Sequence, residues 1–108
     1  MTIVEKPVDL GELTGGEVRS LIGHDRGIAA REKYGLDDFD AGAAVVRVII
    51  PKDFRSLSPS FFQGMFGSSV YRYASVDEFM QHYQFSGPLP VVAKVMDFAR
   101  ETLLRRAH

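Results

Sequence analysis

Apolar and polar positions change rhythm several times along this chain. Residues 2–9 alternate roughly, with Ile3 and Val4 at the centre, and a two-residue period predicts a short strand. Pro7 removes a ladder donor, so that strand is expected at a sheet edge. The three glycines from Gly11 to Gly16 predict a loop. From Asp25 to Tyr34 the pattern is helical, with Asp25 as the expected cap, Ile28, Ala29 and Ala30 packing, and Gly35 at the stop. Asp37, Asp38 and Asp40 then read as a solvated acidic turn, because no glycine-punctuated calcium-loop pattern follows them.

Residues 43–50 form the clearest strand. The run is β-branched and nearly continuous in apolar residues, which predicts a central strand covered on both faces, and Pro51 ends it. A loop over 52–57 leads to a well-marked helix start. Ser58 is a good N-cap, and Pro59 suits the first helical position because its missing N–H would have no intrahelical partner. Phe61, Phe62, Met65 and Phe66 have the spacing of one buried face, leaving Ser60, Gln63, Gly64 and Gly67 on the other. Ser75, Val76, Asp77 and Glu78 make a capping box that opens a short helix to about Tyr83. A brief strand at Gln84 and Phe85 precedes the Gly87-Pro88 break, and residues 90–105 form the longest helix. The order favours an α/β class: a small mixed sheet flanked by helices, in a single domain spanning 1–108.

Composition narrows the function classes. Hydrophobic residues make up 45% of the 108, enough for one core. The net charge is −1 and the cations are scattered apart from Arg105 and Arg106, so nucleic acid is disfavoured as the main partner. Cysteine is absent, which excludes disulfides and thiolate chemistry. No run is apolar enough to span a bilayer, and the opening residues lack the pattern of a secretory signal. A cytoplasmic location with no membrane association is expected.

Candidate chemistry is sparse. His24, His82 and His108 lack a second ligand at metal-binding spacing. Ser56, Ser58, Ser60, Ser68 and Ser69 have no G-x-S-x-G or Ser-x-x-Lys context. The glycine-rich stretch 14–20 lacks the closing Gly-Lys of a phosphate loop. These readings predict no enzyme activity, metal or cofactor. The helix opened by Ser58 is more informative. Glycine in a helix interior costs about 1 kcal/mol relative to alanine, so Gly64 and Gly67 imply close approach of another backbone, from this domain or from a partner protein. Serines at a helix N-terminus also suit an anion, so Ser58 and Ser60 are candidate phosphorylation sites.

The strand at 45–50 followed by Leu57-Ser58-Pro59-Ser60-Phe61-Phe62 resembles the STAS fold of sulfate transporters and anti-sigma-factor antagonists. It is more closely similar to STAS-like domains of unknown function, through Gly23-His24-Asp25-Arg26-Gly27 and Ser60-Phe61, over roughly residues 20–105. The resemblance implies a docking role toward a protein partner, such as a kinase-like ATPase or a sigma-regulatory protein. In the antagonists an Asp-Ser-Ser-Gly-like loop at this helix start carries the phosphorylated serine. Here Ser58, Pro59, Ser60 and Phe61 fall at those positions, so Pro59 occupies the acceptor place and only Ser60, its neighbour, could substitute.

The expected docking surface is therefore Ser58, Ser60, Gln63, Gly64 and Gly67, in a non-enzymatic regulatory module. The alternative is a small domain that binds an anion or nucleotide at the same helix start. Self-association is compatible with either.

Overall fold

The computed structural model describes residues 5–14, 20–41, 45–52 and 54–106. In the first half β1 (Glu5–Asp9), α1 (Gly11–Thr14), β2 (Ser20–Leu21), α2 (His24–Tyr34) and α3 (Leu36–Asp40) follow one another. The second half comprises β3 (Val45–Ile49), β4 (Ser56–Leu57), α4 (Pro59–Tyr71), α5 (Val76–His82), β5 (Tyr83–Ser86) and α6 (Leu89–Arg106).

The main sheet has the order β1-β3-β5, and both pairings are parallel. A second, two-stranded parallel sheet pairs β2 with β4. The α/β class with helices flanking small sheets is the one that the alternation of elements predicted, whereas the described pairings are all parallel and divide into two sheets in place of one mixed sheet. Pro7 sits on the edge strand, as its missing donor requires. The expected strand centre at Ile3 and Val4 lies outside the described residues, as do the glycine-rich stretch 15–19 and His108.

Register puts Val8 beside Val48, Val46 beside Tyr83 and Val48 beside Phe85. This face carries the core: Val8, Val46, Val48 and Tyr83 are all buried. Phe62 anchors the helices above it, its ring 5.3 Å from Phe66 and 5.8 Å from Phe98. The other face of β3 shows Arg47 and Ile49 to solvent. Coverage on both faces, expected from the apolar run, is thus corrected: the helices pack on one side, and Arg47 in the middle of the run is the residue that marks the open side.

Local signals set several boundaries. Gly35 closes α2 with φ 64°, in the left-handed region. Ser58 caps α4 and Ser75 caps α5, each accepting a bond from the backbone three residues on. Other expectations need correction. Gly11–Thr14 is a short helix, not a loop. Asp25 lies inside α2, whose cap is Gly23. The acidic turn is α3, and its last residue, Asp40, is buried. Among the described residues no helix is long and apolar enough to cross a membrane.

Candidate functional site

Strands β2 and β4 deliver two helices to one place. Ser20 pairs with Ser56 and Leu21 with Leu57, and the Ser56 hydroxyl donates to that of Ser20 at 2.9 Å. The Ser58 amide then donates to the Leu21 carbonyl at 2.9 Å. Beyond this point both strands turn into helices, so the N-termini of α2 and α4 open side by side.

One hydroxyl serves both openings. Ser58 Oγ accepts from the Phe61 amide at 3.1 Å, capping α4, and from the Gly23 amide at 3.3 Å, tethering the entry to α2. Gly23 has φ 104°, a conformation that side chains other than hydrogen rarely adopt. A little further along, Gly27 and Gly64 bring the two backbones into contact. A Cβ on Gly64 would overlap the His24 carbonyl and sit 3.0 Å from the Ile28 nitrogen. A Cβ on Gly27 would overlap the Phe61 carbonyl and sit 2.8 Å from the Met65 nitrogen.

This contact redraws the face read from the sequence. Gly64 is buried under α2 and is not exposed, because the close approach it permits is within the chain. Gly67 is also buried, although a Cβ there would meet only Gln63 Cβ at 4.0 Å. Gln63 and Ser58 are half-buried, and Ser60 is exposed with its hydroxyl 3.2 Å from that of Ser58. What periodicity missed is the apolar neighbour: Ile22, just before Gly23, is 60% exposed. His24, Asp25 and Arg26 complete an exposed rim on the α2 side. The first turn of the 13-residue α4 contains no acidic residue, so its partial positive charge meets no carboxylate of its own turn, while Asp25 stands in the first turn of α2.

A second polar cluster lies inside the fold. The Arg31 guanidinium donates to Asp37 Oδ1 at 2.6 Å and 2.9 Å, to Asp40 Oδ2 at 2.7 Å, to the Met65 carbonyl at 2.9 Å and to Ser69 Oγ at 2.8 Å. The Ser69 hydroxyl donates to Asp40 Oδ2 at 2.5 Å, and the Tyr83 phenol donates to Asp40 Oδ1 at 2.6 Å. Burial pulls the Arg31 guanidinium downward, but the bonds and charges of Asp40 and Asp37 outweigh it and its pKa is raised. Burial, reinforced by the bond to Asp40, holds the Tyr83 phenol far above the ordinary tyrosine range. Ser69, Asp40 and Arg31 are all buried, so the cluster ties α2, α3, α4 and β5 together, with the Asp37 carboxylate as its exposed member. Sequence offered little sign of it: Arg31 and Asp40 each look like ordinary surface charges.

The histidines are apart. His24 is exposed on α2, and His82 stacks on Tyr73 with ring centroids 4.8 Å apart. Among the described residues no group of three potential ligands is placed to hold a metal. No family model, curated protein or solved structure matches the chain.

Proposed function

We propose that this chain is a non-enzymatic regulatory module that docks onto a protein partner through the paired openings of α2 and α4. The observation that carries the reading is Ile22, 60% exposed and next in the chain to Gly23, whose amide is tethered to Ser58 Oγ. A large exposed apolar side chain at the mouth of two polar helix openings suits the centre of a protein interface. The rim is preorganised by the Ser58 tether and the Gly27–Gly64 contact, which limits the ordering a partner must impose. The resemblance of the Ser58–Phe62 segment to the STAS-like antagonists agrees in kind. By that resemblance the partner is a kinase-like ATPase or a sigma-regulatory protein, in the cytoplasm. Ser60 is the better phosphoacceptor candidate, being exposed, whereas the Ser58 oxygen already serves two amides.

The test is capture of partners from native cytosol by wild type beside folded Ile22→Glu and Ser60→Arg variants. Recovery of such a regulator by wild type alone is expected. Equal recovery by both variants would move docking to another face.

One observation favours a second reading. Two hydroxyls 3.2 Å apart at a helix start whose own first turn holds no acidic residue suit an anion. Titration with phosphate, ATP or GTP separates the readings, since only the anion reading moves the Gly23, Ser60 and Phe61 amide resonances saturably.

A further inference from the structure

A cleft of about 390 Å³ lies where the start of α6 passes β4 and the start of α4. Its volume is within the range, about 300–1,000 Å³, that small-molecule sites occupy. Leu57 and Val91 form its floor, 5% and 6% exposed, with the half-buried Phe98 beside them. The rings of Pro59 and Pro90 form walls, each in the first turn of its helix. This interior is apolar.

The rim is cationic. Arg55 and Lys94 both line the cleft, and both are exposed. Lys94 lies one helical turn beyond Pro90, so it rises from the same face of α6. Neither cation pairs with a carboxylate among the described residues, and no described lining residue is acidic. α4 and α6 both begin here and add the partial positive charge of their N-termini.

We infer that this cleft binds a small amphiphilic carboxylate, with its acyl or aryl body on Leu57, Val91 and Phe98 and its carboxylate between Arg55 and Lys94. An apolar floor alone would accept any hydrophobe. Two exposed cations at its edge, neither paired with a carboxylate among the described residues, select the anion, and the planar Arg55 fork matches a carboxylate geometrically. A neutral analogue forfeits those charge-assisted bonds and a cationic one is repelled. The cleft adjoins the docking face, sharing Pro59 in the first turn of α4, but its other walls come from β4 and α6, so binding in it is read at Leu57, Val91 and Lys94 and docking at Ile22 and Ser60.

The experiment titrates the folded protein with octanoate and with octan-1-ol, following backbone amide resonances. Octanoate should shift Leu57, Val91 and Lys94 saturably, and octan-1-ol should bind about tenfold more weakly or worse. The double variant Arg55→Gln/Lys94→Gln, altered only at exposed positions, should lose about tenfold in octanoate affinity and keep its weak octan-1-ol binding. Absence of saturable shifts with octanoate at about 10 mM, a concentration above any useful affinity, would overturn the inference. Equal binding of the acid and the alcohol, or an unchanged octanoate affinity in the double variant, would overturn it too.

Discussion

Gly27 of α2 and Gly64 of α4 meet backbone to backbone, with no room between them for even a methyl group. At this point the helix that carries the candidate docking rim meets its neighbour main chain to main chain, and Arg31 adds side-chain bonds further along. Gly64→Ala must push apart two backbones, neither of which can yield as a flexible side-chain tip would. It should lower stability by about 1–3 kcal/mol, the usual range for overpacking, and Gly27→Ala should do the same. Gly67→Ala is the control: its new methyl would meet only Gln63 Cβ at 4.0 Å, so removing a helix-interior glycine should raise stability by about 0.5–1 kcal/mol. Urea midpoints of the three variants check the contrast.

The two carboxylates on Arg31 should not be equivalent. Both lie within 2.7 Å of Nη2, yet the Asp40 side chain is 2% exposed and that of Asp37 is 82% exposed. Asp40→Ala takes the buried acceptor from the Ser69 and Tyr83 hydroxyls and leaves the Arg31 guanidinium paired with Asp37 at the surface, so a loss of about 3–5 kcal/mol is expected. Asp37→Ala removes a solvated pair and should cost about 0.2–1 kcal/mol. Denaturant unfolding of both variants decides it, and similar losses would mean that burial does not govern this cluster.

Ser58 serves two helices through one oxygen. Ser58→Ala leaves the Phe61 and Gly23 amides without that acceptor and should cost about 1–2 kcal/mol, at the upper end for a cap. Ser60→Ala, at an exposed position, should stay within about 0.5 kcal/mol of wild type. Thermal unfolding of the pair separates capping from composition.

Alkaline stability should depend on Tyr83. Its folded pKa lies far above the unfolded value, because burial and the Asp40 carboxylate disfavour the phenolate. That contribution is complete below the unfolded tyrosine pKa of about 10. Above it the unfolded chain releases a proton that the folded chain retains, so stability falls as pH rises. Tyr34 and Tyr73 are raised as well, which makes the wild-type slope composite. Tyr83→Phe should therefore flatten the slope of unfolding free energy above pH 10 by up to about 1.4 kcal/mol per pH unit without abolishing it.

Local chemistry was legible in the sequence, and long-range pairing was not. Ser58, Pro59, Gly35 and the Ser75 capping box act within a few residues, and each marks a boundary where the pattern put it. Gly64 announced a close approach, but its partner became identifiable only through Gly27, a second helix-interior glycine that periodicity passes over. β2 and β4 are two residues each, too short to show any period. Asp40 looked solvated among Asp37 and Asp38 because the groups that claim it, Ser69 and Tyr83, lie in α4 and β5. The open face of the sheet was the least visible feature, since a single Arg47 had to outweigh seven apolar neighbours in the run 43–50.

The parallel order β1-β3-β5 also governs when this protein takes shape. Among the described residues no strand pairs with the one next in the chain, so no hairpin seeds either sheet. Glu5 waits for Val45, and Val46 waits for Tyr83. As the chain leaves the ribosome from its N-terminus, β1 has nothing to close against until β3 emerges, and the far edge of β3 stays open until β5 follows. Such non-local closure is slow and leaves strand edges uncovered meanwhile. Folding is thus expected as a single late event, and a nascent chain halted before β5 should be a client for chaperones and not a partly built domain.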